Sequence, residues 1–392
     1  MSVLGIIIII LVIFTFIMVG LEFLRSRYVL NVTHSVVSMD SLPKNFDGTK
    51  MVVIGDLHQM RFGDYNELLA KKIKIEEPDY IFFVGDMGDS RKYNVDAFYD
   101  LLETLGRDIP FIMVPGNHDL RLGGGKVHKN FLREVSNAGA VLLDNACAEM
   151  KAGDDKLYIY GFCQPLLPQK DVDIKYWRLS SVSDGYLSST LGKCPDDAPV
   201  ILLAHDPTYF SSYSNWGANL VLSGHIHGGM VRLPFVGGIF SPSRKLFPKY
   251  TSGLYEKGDS KLFVTRGLGS SIMTRFGNPP EISVVTLACP ASAAAYEAKN
   301  KKAKVELPAE SFSDWFKAEF ASFKSLMQER ANQVSDFFSE MFGKKKSRFS
   351  KEADRRKKKN TYTVDKASKR MPKEEKHIEE DKPYIYTKNK KK

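Results

Sequence analysis

Five times in this chain a short apolar run stops, and the next residues are small, then acidic, amide or imidazole. Met51–Ile54 runs into Gly55-Asp56-Leu57-His58, Tyr80–Val84 into Gly85-Asp86-Met87-Gly88-Asp89, and Phe111–Val114 into Pro115-Gly116-Asn117-His118-Asp119. Val200–Leu203 runs into Ala204-His205-Asp206-Pro207, and Leu220–Leu222 into Ser223-Gly224-His225-Ile226-His227-Gly228-Gly229. Apolar runs of this length, bounded by turn residues, predict buried strands. Between the first three lie two helical patterns. One spans Tyr65–Glu77 and stops at Pro78; the other spans Val95–Leu105, with Phe98, Leu101, Leu102 and Leu105 on one face and Gly106 behind it. Strand, helix, strand, helix, strand is an α/β pattern, and the polar residues fall at strand carboxyl ends, where open α/β sheets bind ligands. One Asp or Asn after a strand is ordinary turn chemistry. Its repetition in register with successive strand ends is not.

The second half adds expected strands at Lys261–Thr265 and Glu281–Leu287, and the alternation in Leu157-Tyr158-Ile159-Tyr160 places more between Ala140 and Cys163. Two β layers with helices outside are expected, rather than one doubly wound sheet. Pooled, the strand-end residues are Asp56, His58, Asp86, Asn117, His205, His225 and His227. Read alone, the His225/His227 pair is equally a packed pair or a ligand pair. The pooled set is carboxylate, imidazole and amide, which suits Mn²⁺, Fe²⁺ or Zn²⁺ and disfavours a cysteine-based zinc site. It is also too many ligands for one tetrahedral ion and suits two ions sharing a carboxylate. Cys147, Cys163, Cys194 and Cys289 are widely spaced with no C-x-x-C pair, so neither a zinc ribbon nor a disulfide framework is indicated.

These five blocks, in this order across roughly residues 50–290, resemble the signature blocks of the calcineurin-like metallophosphoesterases. The resemblance implies a four-layer α/β/β/α sandwich with a dinuclear metal site at the strand-end loops. It implies that Asp56, His58 and His227 hold one ion, Asn117, His205 and His225 the other, and Asp86 bridges both. Two such ions, with Mn²⁺ expected first, would clamp a phosphoryl oxygen and activate water for in-line attack. It gives His118 the role of general acid toward the leaving oxygen, with Asp89 pairing with it to fix its tautomer. Asp119, by contrast, reads first as a turn cap. Ser90 stands where the protein-phosphatase branch has an arginine, and Asp89 where purple acid phosphatases have a metal-binding tyrosine; phosphoprotein specificity and an Fe(III) charge-transfer site are therefore not expected. The stretches Gly224–Pro234, Lys249–Tyr255, Arg266–Gly269 and Arg275–Glu281 are similar to the bacterial membrane-associated branch, which acts on phosphodiesters and on UDP-2,3-diacylglucosamine. Arg266 and Arg275 are candidate phosphate contacts, with salt bridging as the alternative.

The ends of the chain are of different character. Residues 3–24 are apolar apart from Thr15 and Glu22. They approach the roughly 20 residues that cross a bilayer, and a basic n-region and a small-residue cleavage site are absent, so an uncleaved transmembrane anchor is expected over a signal peptide. No Lys or Arg precedes the span while Arg25 and Arg27 follow it, which points to a cytoplasmic catalytic domain. Asn31-Val32-Thr33 fits a glycosylation sequon that matters only in a eukaryotic secretory pathway. The net charge of +10 is not spread over the body: residues 344–392 hold 20 Lys+Arg and 8 Asp+Glu, or +12, leaving 10 − 12 = −2 for residues 1–343. That argues against a basic nucleic-acid face on the body and leaves nucleic acid as a possible partner through the tail only. The expected organisation is an anchor (3–24), a polar connector (25–49), the catalytic domain (50–290), an Ala/Lys-rich linker (291–309), an amphipathic helix (310–343) and a basic disordered tail (344–392). The helix carries Phe312, Phe316, Phe320, Phe323, Met327, Ala331, Val334, Phe338 and Met341 at helical spacing. It suits either the bilayer surface, with the basic tail meeting anionic lipid, or docking on the body or on a second copy. Two function classes follow: a membrane-anchored metal-dependent phosphohydrolase of phosphoester or pyrophosphate bonds, on a lipid or nucleotide-lipid substrate, and a non-catalytic scaffold that keeps the fold. Loss of a ligand would favour the scaffold, and none is missing.

Overall fold

The computed structural model describes residues 2–122, 126–167, 178–270, 275–306 and 384–387. In chain order the helices are α1 (Val3–Tyr28), α2 (Glu67–Ile75), α3 (Asp96–Leu105), α4 (Asn117–Leu120), α5 (Lys126–Asn137), α6 (Asp184–Leu191), α7 (Phe210–Trp216) and α8 (Pro290–Glu306). The first nine strands are β1 (Asn31–Ser38), β2 (Lys50–Ile54), β3 (Tyr80–Phe83), β4 (Phe111–Met113), β5 (Val141–Leu142), β6 (Cys147–Ala152), β7 (Asp155–Phe162), β8 (Leu166–Leu167) and β9 (Arg178–Leu179). They are followed by β10 (Val200–Ala204), β11 (Leu220–Ser223), β12 (Val231–Leu233), β13 (Gly237–Phe240), β14 (Gly253–Lys257), β15 (Ser260–Val264), β16 (Glu281–Ala288) and β17 (Tyr384–Thr387).

Two sheets face each other. One runs β1-β16-β2-β3-β4-β5 and the other β14-β15-β11-β10-β7-β6-β17. The strands that carry the polar blocks, β2, β3 and β4 in one sheet and β10 and β11 in the other, are parallel to their block-bearing neighbours. Each of these strands is buried on both faces, which is why the sequence reads as unbroken apolar runs instead of alternation. Three apolar cores separate the layers. Val53, Phe82 and Ile112 meet Ile201, Leu203 and Leu222 between the sheets. Val52, Phe83 and Met113 meet Leu69, Phe98 and Leu101 under α2 and α3. Leu202, Val221 and Val264 meet Leu187, Phe210 and Tyr213 under α6 and α7. Helix, sheet, sheet, helix is the four-layer sandwich expected from the sequence.

Three segments depart from the expected organisation. The connector holds a strand: β1 runs parallel to β16 from Asn31↔Glu281 to Ser38↔Ala288. Its sequence, Asn-Val-Thr-His-Ser-Val-Val-Ser, is polar because it is an edge strand with mostly half-buried side chains, and backbone pairing alone leaves no apolar signature. The start of the linker is helical, α8, as its alanines, lysines and glutamates favour. In the tail, Tyr384–Thr387 form β17 parallel to β6, so these four residues are strand and not disordered. The amphipathic helix expected over 310–343 lies outside the described residues, as does the remainder of the tail.

Helix α1 is 26 residues long, strongly apolar, and none of its apolar stretch is buried. It is long and apolar enough to cross a membrane. It extends past the expected end at Leu24 through Arg25 and Arg27, and its last turns touch the body: the Phe23 and Phe276 rings lie 5.0 Å apart, and Ser26, fully buried, accepts from the Asn278 N–H at 3.1 Å.

Candidate metal centre

The blocks do not merely end strands; they turn the backbone sharply. Asp56, His58, Asp86, His225 and His227 all have positive φ, between 51° and 70°. This left-handed conformation costs a residue with a side chain about 1–3 kcal/mol, and such residues gather where function demands the geometry. Glycine clears the space around them. A Cβ on Gly116 would lie 2.3 Å from Asp86 Oδ1, and one on Gly267 would lie 2.7 Å from the Asp56 side chain.

The result is two groups of potential ligand atoms, buried except at the half-buried His225. Asp56, His58 and His227 form one, and Asp86, His205 and His225 another; within each, the ligand atoms all lie within 4.8 Å of one another. A third grouping joins His58, Asp86 and His118 over the same span, which places Asp86 between the two sets. Within the groups, His205 Nε2 is 3.1 Å from Asp86 Oδ2 and His227 Nε2 is 3.4 Å from Asp56 Oδ1; between them, His205 Nε2 is 3.9 Å from Asp56 Oδ1. The His58 and His227 rings stack with centroids 5.3 Å apart. Asn117 brings its side-chain amide to within 2.9 Å of His225 Nδ1. The seven residues expected as ligands thus come together from five strand ends in two sheets.

The hydrogen bonds behind these atoms orient them. His205 Nδ1 bonds to the Val84 carbonyl at 2.7 Å and His227 Nδ1 to the Gly269 carbonyl at 2.9 Å. A carbonyl can only accept, so each ring carries a proton on Nδ1 and turns Nε2 inward. His225 is the reverse: Nδ1 faces Asn117, while Nε2 lies 3.9 Å from the Asp206 carboxylate. His58 Nδ1 and Nε2 are buried with no hydrogen-bond partner, and His205 Nε2 faces only the carboxylates of Asp86 and Asp56. Buried nitrogens without partners cost about 1–3 kcal/mol each, and a bound cation removes that cost. The donor set therefore fits divalent metal.

Electrostatics agree. Burial pulls His58 down to about 3, with His118 adding to the effect, and pulls His227 down to about 3, with Arg275 adding. Burial also lowers His225. These imidazoles are held neutral, which is the ligating form. Burial would lower His205 too, but Asp86 and then Asp56 outweigh it and hold it up to about 10. Asp86 is held well below the ordinary carboxylate range, because His205 and His118 outweigh its burial. The same carboxylates that favour a proton on His205 favour a metal cation there.

Comparison with known proteins places this arrangement. The family model for calcineurin-like phosphoesterase matches residues 49–229. A metallophosphoesterase of Bacillus subtilis, YkuE, is 30% identical over 266 residues, covering 66% of this chain and 86% of the relative. The chain belongs to the calcineurin-like phosphoesterase family. A phosphodiesterase of Escherichia coli, YaeI, is 27% identical over 242 residues, 61% of this chain and 82% of its own length. A UDP-2,3-diacylglucosamine pyrophosphatase of Chlamydia muridarum, LpxG, is 33% identical over 93 residues, 22% of this chain and 28% of its own length. As a member of this family the chain is a metal-dependent phosphoesterase, and its strand-end groups are where divalent ions would bind.

Around that centre, two expectations change. His118 lies beside Asp86, whose Oδ1 accepts from its N–H at 2.6 Å, and its ring packs edge-on to His58 at 4.7 Å. Its Nδ1 is nearer to Ser90 than to Asp89: Ser90 Oγ is 3.1 Å away, the Ser90 N–H donates to it at 3.3 Å, and Asp89 Oδ1 is 3.5 Å away. The backbone donor at Ser90 makes Nδ1 an acceptor and puts the neutral ring's proton on Nε2. Asp89 is itself held by Gln59 at 2.8 Å and the Arg91 N–H at 2.9 Å. Ser90, and not Asp89 alone, sets the tautomer.

Both arginines proposed as phosphate contacts have partners within the protein. Arg275 is buried, and its guanidinium donates to the carbonyls of Asn278, Gly269 and Arg266 at 2.8 to 3.1 Å. Arg266 pairs with the buried Glu281 at 3.0 Å, and Glu281 also accepts from the Arg266 N–H at 2.7 Å and from Thr33 at 2.9 Å. These residues brace the loop whose Gly269 carbonyl orients His227. Asp119 does what a turn residue does, accepting from the N–H groups of Gly88 and Gly116 at 2.9 Å each. Gln59, Ser90 and Asp206 were not singled out as site residues. Asp206 directly follows a candidate ligand and Ser90 directly follows Asp89, which was the available signal.

Proposed function

We propose that this chain is a membrane-anchored phosphohydrolase that cleaves a phosphodiester or pyrophosphate bond in a lipid or nucleotide-lipid substrate. The observation that carries the reading is the convergence of Asp56, His58, Asp86, His205, His225 and His227 from two sheets, with both His58 nitrogens buried and without partners. Asp56, His58 and His227 would hold one ion, Asn117, His205 and His225 the second, and Asp86 both. Two divalent ions, Mn²⁺ first and Fe²⁺ or Zn²⁺ otherwise, would supply charge for the phosphoryl oxygens and lower the pKa of water between them.

The protein's own part is positional and protic. The strained turns at Asp56, Asp86 and His225 aim their side chains before substrate arrives. His118 would act as general acid in its imidazolium form, donating the Nε2 proton to the departing oxygen while Ser90 Oγ and the Asp89 carboxylate accept from Nδ1. Helix α1 would hold the centre at a bilayer, with Arg25 and Arg27 in its last turn favouring the cytoplasmic side. Relatives named as transmembrane proteins with a metallophosphoesterase domain support the anchoring, and the pyrophosphatase named for UDP-2,3-diacylglucosamine supports a lipid-linked diphosphate as substrate. The test is turnover by detergent-solubilised full-length protein with Mn²⁺, first on bis-p-nitrophenyl phosphate and then on lipid nucleotides, cyclic phosphodiesters and simple phosphodiesters. Equal activity of wild type and Asp86→Ala on every substrate would end this assignment.

A further inference from the structure

The loop that carries His225 and His227 runs directly into the β12–β13 hairpin, and the hairpin ends in apolar residues that nothing in the described residues covers. Leu233, Phe235 and Val236 at its tip are 43%, 109% and 57% exposed. Leu246 and Phe247 are each 66% exposed, and they lie alongside β13: Leu246 bridges Phe240, and the Phe247 N–H donates to the Ile239 carbonyl at 2.7 Å. Single exposed apolar residues are ordinary, but five large ones on one small flap are not. The backbone is also strained to present them. Phe235 and Phe247 have φ of 65° and 49°, a region costly for an aromatic residue.

The flap is joined to the end of α1. Val231, which opens β12, bridges Phe276, and Phe276 packs on Phe23. Phe23 stands just before Arg25 and Arg27, where the apolar span gives way to charge. A tip three or four residues from Val231 is on the order of 10 Å from that level. Arg244, Lys245 and Lys249 on the same flap are exposed, and apolar residues interleaved with cations are what an anionic bilayer interface binds.

We infer that the β12–β13 flap is a second membrane contact, with Phe235, Val236 and Phe247 immersed in the bilayer interface beside α1 and Arg244, Lys245 and Lys249 meeting anionic headgroups. The inference rests on α1 being an anchor, and it deepens the reading of a membrane-borne substrate. The flap is rooted on the centre itself: Arg232 Nη1 donates to the Gly228 carbonyl at 2.6 Å, and a Cβ on Gly229 would lie 2.6 Å from Gly238 Cα. Immersion therefore places the mouth beside His225 at the lipid surface, where a lipid-linked phosphate is met without leaving the bilayer.

The experiment is depth-dependent quenching in the full-length chain. Phe235→Trp and, separately, Phe247→Trp are reconstituted into phosphatidylcholine–phosphatidylglycerol vesicles with and without bromine on the acyl chains. Emission from the three native tryptophans is subtracted using wild type. Each added indole is expected to lose about half its emission in brominated vesicles, while an indole at Lys193→Trp, just past the end of α6, loses little. Alkaline carbonate extraction of the wild-type vesicles reads the anchor independently. Release of the wild type overturns the anchor and the flap contact together. Retention with unquenched Phe235→Trp and Phe247→Trp overturns the flap contact alone. Retention with blue-shifted but unquenched emission and cross-linked dimers overturns it in favour of a second copy on the flap.

Discussion

The strand-end rim and the loop after β15 are neighbours, both polar and both buried, yet they differ in where their polar atoms point. On the rim, His58 Nδ1 and Nε2 find no partner, and Asp56 and Asp86 face the imidazoles of His205 and His227 across gaps of 3.1 to 3.9 Å. On the loop, the Arg275 guanidinium is taken up by backbone carbonyls, and Glu281 by Arg266 and Thr33. Charge in a buried place is therefore not by itself a sign of substrate binding. Atoms left facing one another mark the place for an ion; atoms paired within the protein mark the brace that holds that place open.

The largest effect expected from breaking this contrast is at Asp86. Asp86→Ala removes the carboxylate proposed to serve both ions, and turnover of bis-p-nitrophenyl phosphate should fall on the order of 10³-fold or more while the thermal melt stays cooperative. Next is His118→Ala, expected to cost about 10²–10⁴-fold in kcat with bound metal unchanged, as general-acid loss does. A variant that lost metal and activity together would move His118 from acid to ligand.

On the brace side the order of effects reverses. Glu281→Gln leaves Arg266 unpaired and should cost about 3–5 kcal/mol of stability near neutral pH, read by denaturant unfolding, with kcat of the folded enzyme nearly unchanged. Glu281 is buried, which would raise its pKa, but Arg266 outweighs this and holds it below the ordinary value of 4.5. A carboxyl depressed in the folded state stabilises above its unfolded pKa. The difference between wild type and Glu281→Gln should therefore be full above about pH 5 and shrink as pH falls through the folded value. The smallest effect is at Asp206, which stands behind His225: Asp206→Asn should weaken Mn²⁺ affinity about tenfold, measured by titration, as loss of a supporting carboxylate does.

The same contrast explains what could be read from sequence. Asp56, His58, Asp86, Asn117, His205, His225 and His227 were legible because ligand chemistry resides in the side chain, and each follows an apolar run that announces its strand. The sandwich was legible for the same reason, since strands buried on both faces cannot hide. Strand β1 was not, because Asn31–Ser38 earns its place through backbone pairing with β16, which any sequence can supply. Arg275 misled because its partners are carbonyls, and carbonyls have no residue type. Ser90 acts on His118 partly through its N–H, a contact equally invisible in the sequence.

The claim that the unpartnered rim holds the ions, and the partnered loop only braces them, is tested most directly by Mn²⁺ stoichiometry. Full-length detergent-solubilised wild type, Asp86→Ala and Glu281→Gln would each be dialysed to equilibrium with Mn²⁺ at a temperature where all three are folded. Two ions per chain are expected for wild type and for Glu281→Gln, and at most one for Asp86→Ala. Two ions retained by Asp86→Ala, or ions lost from folded Glu281→Gln, would contradict the account.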